Sequence, residues 1–518
     1  MLVKTFASAV HGVDARTIAV EVHAGGTPIL TGQFYFLVGL PDNAMKEGFQ
    51  RVEAALKSSG YHMYRLKTVV NLAPADLRKE GASYDLPIAL AYISATNQVD
   101  LPELDRYVVL GELSLDGSLR PIKGALPIAI QARKENFKGL ILPRQNAREA
   151  AIVSNLEVYG VDNLKEAVKF LSGAVKLEPV FVDAREEFLN NQNSYDVDFS
   201  DVKGQENIKR ALEIAAAGGH NVILIGPPGA GKTMLARRLP TILPPLSLHE
   251  ALETTKIHSV AGILPANTSL ITTRPFRAPH HTISDVALVG GGTNPHPGEI
   301  SLSHNGVLFL DELPEFKRGA LEVLRQPMEE RRVTISRAKT TVDYPAGFTL
   351  IASMNPCPCG YYNHPEKDCV CGAGVVKKYL SKISGPLLDR IDLHVEVTPV
   401  SYDELSSFSR PSESSRDIAE RVVRARQLQA ARFEAHPSLH CNAQMPGQMV
   451  REVCQVNPTG LMLVKKAMEK LQLSARAFDR ILKVSRTIAD LADSPDIQIE
   501  HLAEAIHFRS LDREGWAG

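Results

Sequence analysis

The run Gly226-Pro227-Pro228-Gly229-Ala230-Gly231-Lys232-Thr233 sets glycines around a tight turn and closes on a lysine and a hydroxyl. Glycines let successive backbone N–H groups turn inward on one anion, and a helix beginning there adds its partial positive charge. In such a loop Lys232 is placed for the β- and γ-phosphates of a nucleoside triphosphate and the Thr233 hydroxyl for Mg2+. A turn of this composition has chemical meaning only between a buried strand and a helix. Asn221–Ile225 before it and Met234-Leu235-Ala236-Arg237-Arg238-Leu239 after it supply those two elements.

Hydrolysis needs further groups. About eighty residues on, Gly306-Val307-Leu308-Phe309-Leu310-Asp311-Glu312 is an apolar run ending in two carboxylates. A continuous apolar run is how a strand buried in a parallel sheet reads, and ligands bind at the C-terminal ends of such strands. Asp311 is therefore expected to hold Mg2+, directly or through water, and Glu312 to polarise the attacking water. A further strand candidate, Phe348-Thr349-Leu350-Ile351-Ala352-Ser353-Met354-Asn355, ends in a polar amide, which taken alone reads as a turn residue. In Pro386-Leu387-Leu388-Asp389-Arg390-Ile391-Asp392, the fixed charge and planar donors of Arg390 suit charge on a transferring phosphoryl group. The alternative is a salt bridge from Arg390 to Asp389 or Asp392. Near the C-terminus, Arg476, Arg480, Lys483 and Arg486 recur every three or four residues, a spacing that would set them on one basic helix face.

Cys357-Pro358-Cys359 and Cys369-Val370-Cys371 place four thiols directly after Asn355. Four thiolates are a complete ligand set for structural Zn2+, although C-x-C is tighter than the common C-x2-C. His364 lies between the pairs as an alternative ligand, and reduced or redox-active thiols are the competing reading. Cys441 and Cys454 lie apart from this cluster.

The whole chain sets bounds on these readings. Its 518 residues allow roughly three to four domains, and its net charge of −1 leaves nucleic-acid binding to a local patch. No apolar run approaches the ~20 residues of a bilayer span, and Met1-Leu2-Val3-Lys4-Thr5 lacks a signal-peptide pattern. Six cysteines in such a length are no disulfide framework. A cytoplasmic protein without a membrane partner is expected. Residues 1–172 alternate strand candidates (Ile18–His23, Phe34–Gly39, Lys67–Leu72, Tyr107–Leu113, Gly139–Leu142) with helix candidates Asp42–Ser59 and Asp85–Tyr92, an α+β domain. Residues 173–194 read as a polar linker, 195–400 as the α/β nucleotide-binding core with its four-cysteine insertion at 357–371, 401–415 as a second linker, and 416–518 as a helical lid.

Several stretches resemble known families. Lys79-Glu80-Gly81-Ala82-Ser83 and Gly111–Gly124 resemble the proteolytic domain of the Lon family, which implies an S5-like fold with Ser83 at the nucleophile position. The lysine that would activate it falls on Ile128, which takes no proton, and Lys123 and Lys134 are out of register. A scaffold or binding surface is expected there rather than a peptidase. Asp198–Gln205 resembles the motif before the first helix of AAA+ modules, Asn355 their sensor 1, Arg390 their arginine finger, and Leu473–Arg480 their sensor 2 with Arg476 at the γ-phosphate. Arg274–His281 with Ser284–Ser303, and Glu330–Val342, resemble the helix-2 insert and pre-sensor hairpin of magnesium chelatase ATPase subunits and MCM helicases. Arg337 and Lys339, at the expected hairpin tip, are candidates for DNA phosphate contact or for a solvated tip.

Taken in order, residues 1–172, 195–400 and 410–510 resemble the YifB/ComM family of magnesium-chelatase-like AAA+ ATPases. The resemblance implies a P-loop core using ATP and Mg2+, a ring, in particular a homo-hexamer, and a motor on single-stranded or branched DNA, a helicase or translocase of recombination or natural transformation. A chelatase motor, a protein-remodelling chaperone and a Lon-like protease are the competing functions.

Overall fold

The computed structural model describes residues 1–29, 31–190, 195–265, 268–292, 295–337, 340–362, 364, 366–399, 412–471 and 473–509. The chain forms two compact units, Met1–Asn191 with Leu248–Ile271, and Gln192–Ser247 with Thr272–Gly518.

The first unit is built on a mixed seven-stranded sheet. Its spatial order is Tyr35–Val38, Lys67–Ala73, Asp14–Gly25, Leu2–His11, Tyr107–Val109, Gly139–Pro143, Glu157–Val161. Asp14–Gly25 alternates as a half-buried strand should, with Ile18, Val20, Val22 and Ala24 inside. Its partner Leu2–His11, not among the strand candidates, pairs along its whole length from Leu2 opposite His23 to His11 opposite Asp14. Small and polar residues (Thr5, Ala7, Ser8) occupy its buried positions, so its apolar alternation is faint. The expected strand Tyr107–Leu113 is shorter, ending at Val109, with Glu112–Leu113 forming a separate ribbon with Leu119–Arg120. Asn43–Ser58 is a helix whose first turn is capped by Asp42, the carboxylate accepting from Met45 N.

Ser83 precedes the buried helix Asp85–Ala95, its carbonyl accepting from Gly111 N at 2.8 Å, and Ile128 is a core residue of the helix Ala125–Lys134. The helix Leu248–Ala261 belongs to this unit although it stands between two stretches of the other. Gly124 N donates to Ser259 O at 3.1 Å, and Ile257 and Val260 are buried.

In the second unit five strands pair in parallel, in the order Phe276–Arg277, Val307–Leu310, Thr349–Met354, Val222–Ile225, Leu393–Glu396. Register sets Ile225 beside Met354 and Leu310 beside Ala352, so the central strands end at one edge of the sheet. The three loops expected to carry chemistry leave from that edge. A separate antiparallel hairpin, Arg332–Arg337 with Thr340–Pro345, buries Val333, Ile335, Val342 and Tyr344. Arg337 closes its first strand, and Lys339 lies outside the described residues. Among the described residues five α-helices follow the strand Leu393–Glu396, including Ser415–Arg432 with a capping box at Ser414 and Ala475–Leu491 capped by Ser474. Among the described residues no helix is long and apolar enough to cross a membrane.

A buried polar network joins these helices to the sheet. Asp392, just before the strand Leu393–Glu396, accepts from Asn221 N at 3.2 Å, meets His220 Nδ1 at 3.2 Å, and pairs with Arg480 of the helix Ala475–Leu491. His220 Nε2 contacts Thr487 Oγ1 on the same helix at 2.8 Å. Burial pushes the Asp392 pKa up, but Arg480 and His220 outweigh it and hold the carboxyl well below the usual carboxylate range. Removing one partner of a buried pair leaves the other charged and unpaired. Asp392→Asn is therefore expected to lower stability by roughly 3–5 kcal/mol in a denaturant titration at pH 7, and a loss under about 1 kcal/mol would contradict this role.

Candidate active site

The phosphate-type loop is held open by two constraints of backbone geometry. Gly229 and Gly231 sit at φ 80° and 83°, in the left-handed region that glycine alone adopts readily, and Gly231 caps the helix Lys232–Ile242. At Gly226 a Cβ would lie 2.3 Å from the Val397 carbonyl oxygen, so the loop can leave the strand there only without a side chain.

Five of the expected residues come together. The Lys232 ammonium donates to Gly226 O at 2.7 Å, Pro227 O at 2.9 Å and Asn355 Oδ1 at 3.0 Å. It thereby ties the loop to the end of the neighbouring strand. Burial lowers the Lys232 pKa, and the negative charges of Asp311 and Glu312 oppose that shift. Thr233 Oγ1 donates to Asp311 Oδ2 at 2.9 Å, and the other Asp311 oxygen accepts from Glu312 N at 3.0 Å and from the Ser353 hydroxyl. A hydroxyl and a carboxylate are the hard oxygen donors that Mg2+ takes alongside phosphate oxygens. With Lys232 and the turned loop beside them, these residues fit Mg2+ and a triphosphate.

Glu312 itself holds an unusual backbone, φ 54°, and its carboxylate lies 3.4 Å from His281 Nδ1. In the sequence, His281 stands only within an insertion and Ser353 only within a strand candidate. Ser353 was nonetheless legible, since a residue two before Asn355 on a strand faces the same side.

The two arginines stand apart from this group. Arg390 is nearly buried, its Nη2 2.7 Å from Glu329 Oε1 and its Nη1 donating to Pro386 O at 2.7 Å. Its ion pair is thus with Glu329 rather than with Asp389 or Asp392, the second of which Arg480 and His220 already occupy. Arg476 is exposed on the first turn of Ala475–Leu491. The alternative of one basic face on that helix is not what forms. Arg480 turns to Asp392, Lys483 donates to Ala443 O at 3.0 Å, and Arg486 is buried against Asp490 and two carbonyls.

Cys357, Cys359, Cys369 and Cys371 converge, with one sulfur from each within 4.8 Å of every other. Cys357 lies 3.2 Å from Cys359 and 3.7 Å from Cys369, and Cys359 lies 3.6 Å from Cys369. Four sulfurs at about 2.3 Å from a tetrahedral zinc stand about 3.8 Å apart, so the set fits that ion despite its short C-x-C spacing. His364 is turned to other work, its Nδ1 accepting from Glu366 N and Lys367 N at 3.1 Å each.

Three family profiles match the chain in order. They are "Subunit ChlI of Mg-chelatase" over residues 21–146, "Magnesium chelatase, subunit ChlI" over residues 198–405, and "Magnesium chelatase, subunit ChlI C-terminal" over residues 412–509. Competence protein ComM of Haemophilus influenzae is 42% identical over 503 residues, covering 97% of this chain and 96% of its own length. YifB of Escherichia coli is 44% identical over 504 residues, with coverage of 97% and 96%. Lon protease 2 of Bacillus subtilis is 31% identical over 150 residues, 27% of this chain and 26% of that protease.

If Lys232 supplies charge to the reacting phosphates, Lys232→Ala lowers ATP hydrolysis at least about a hundredfold in a phosphate-release assay. A variant that hydrolyses ATP at the unmodified rate would remove the lysine from the site.

Proposed function

Because the chain belongs to the YifB/ComM family of magnesium-chelatase-like AAA+ ATPases, we propose that it is an ATP-hydrolysing ring motor acting on DNA, a branch-migration helicase or translocase. Its work belongs to recombination or natural transformation in the cytoplasm. The observation that carries the hydrolytic part is the meeting of Lys232, Thr233, Asp311 and Asn355 at the ends of three parallel strands. Lys232 and the loop backbone hold the phosphates, Glu312 orients the attacking water, and Asn355 positions both lysine and water. Thr233 and Asp311 would hold Mg2+, which would supply positive charge to the phosphates when bound. In a ring, a homo-hexamer as the resemblance to AAA+ motors implies, Arg390 and Arg476 would serve a neighbouring subunit's site.

The DNA reading rests on two supports. The relative from Haemophilus influenzae carries competence in its name. Arg337 closes the first strand of the hairpin Arg332–Arg337 with Thr340–Pro345 and Lys339 follows it in sequence, cations suited to a phosphate backbone in a ring pore. The chelatase names of the matched profiles favour a second reading, a motor that powers metal insertion through protein partners. The measurement that separates them is ATP hydrolysis with and without single-stranded or branched DNA, alongside a branch-migration assay. A DNA motor is stimulated and moves the junction; no stimulation and no strand movement would leave the chelatase-type or a protein-remodelling motor in its place. A peptidase is disfavoured by Ile128, which lies in the core where an activating lysine would be needed.

The four thiolates are assigned to a structural Zn2+, the soft-ligand ion that such a set selects. Elemental analysis of the reduced protein is expected to find about one zinc per chain, lost in Cys359→Ala. A zinc-free protein with all four cysteines intact would return the cluster to reduced or redox-active thiols.

A further inference from the structure

The cysteine cluster lies against the phosphate loop. Cys357 comes two residues after Asn355 and is fully buried. Its carbonyl accepts from Gly360 N at 3.0 Å, closing a turn between the first cysteine pair and the rest of the loop. At Gly360, φ is 86° and a Cβ would stand 2.5 Å from Pro228 Cδ and 3.2 Å from Pro228 Cγ. The turn therefore presses bare backbone on the third residue of Gly226–Thr233. At Gly226 a Cβ would likewise stand 2.3 Å from the Val397 carbonyl oxygen. The loop is thus in close contact with both Val397 and the cysteine turn, and that turn opens two residues after Asn355, which accepts from Lys232.

We propose that the four-thiolate metal site is a strut for the phosphate loop, so that zinc occupancy at Cys357, Cys359, Cys369 and Cys371 sets the affinity for ATP. This deepens the zinc assignment above and rests on it. The physical reason is preorganisation. A metal ligated by two cysteines with a single residue between them would restrict the turn that carries both. When it is fixed, Pro228 and Asn355 are held in the places they need before nucleotide arrives. When it is not, binding must order them, and that cost appears as weaker affinity. Neither residue is a zinc ligand, and no thiol needs to touch nucleotide.

The test uses the full chain, reduced throughout. Zinc is removed with a chelator, and binding of a fluorescent ATP analogue is titrated before removal, after it, and after zinc is added back. The strut predicts affinity about tenfold weaker without zinc and restored with it, the loss appearing mainly in KM rather than kcat. Two substitutions keep all four thiols. Gly360→Ala pushes a methyl into Pro228 and is expected to weaken the analogue's binding, whereas Gly372→Ala, where a Cβ would meet nothing within 4 Å, leaves it unchanged. No zinc in the untreated protein would remove the metal assignment itself. Zinc present at one per chain, with affinity unchanged both by its removal and by Gly360→Ala, would overturn the strut while leaving the metal in place. If removal unfolds the chain, Gly360→Ala decides alone, and an unchanged affinity overturns the proposal whether or not that variant keeps its zinc.

Discussion

Parallel pairing of three short strands is the constraint on which the second unit depends. With Ile225 beside Met354 and Leu310 beside Ala352, the chain must turn away from the sheet three times along one edge. Each exit delivers a different group: a glycine loop and lysine, two carboxylates, and an amide. The hydrogen bonds from Lys232 to Asn355 and from Thr233 to Asp311 then cross between neighbouring exits and make one site of them. A parallel sheet needs long crossovers between its strands. That is why the loop, the carboxylates and the amide are so far apart in sequence while being adjacent in space.

What could be read beforehand follows from this. Buried parallel strands announce themselves as apolar runs with polar ends, so the positions of Lys232, Thr233, Asp311 and Glu312 were legible from the residues, whereas Asn355 alone reads as a turn residue and was singled out by the resemblance to AAA+ modules. The fate of charged groups was not legible. Periodicity alone put Arg476, Arg480, Lys483 and Arg486 on one basic face, yet three of the four are consumed by Asp392, by a carbonyl and by Asp490. An arginine's partner is chosen by tertiary packing, and spacing on a helix does not encode it. Arg390 shows the same limit, since Glu329 is distant in sequence and Asp389 and Asp392 are adjacent. Leu2–His11 escapes notice for another reason: its buried residues are small or polar, so a strand paired along its whole length shows only a faint apolar alternation.

The Asp392 network adds a mechanical link. Asp392 stands two residues from Arg390 in sequence, and its partner Arg480 lies one helical turn beyond Arg476. The bond from Arg480 to Asp392 thus joins the helix Ala475–Leu491, which carries Arg476, to the start of the strand Leu393–Glu396, which follows Arg390.

The helix Leu248–Ala261 bears on how this chain can be divided. It lies far along the sequence yet contributes Ile257 and Val260 to the interior of the unit that Met1 begins, with Ser259 bonded to Glu149. The first unit is consequently discontinuous, entered twice by the chain, and no single cut separates it from the rest. A fragment starting at residue 195 would keep this helix and strand its apolar side in water, while a fragment ending at residue 191 would lack one wall of its own core. Expressing either half alone is a poor guide to what that half does in the whole.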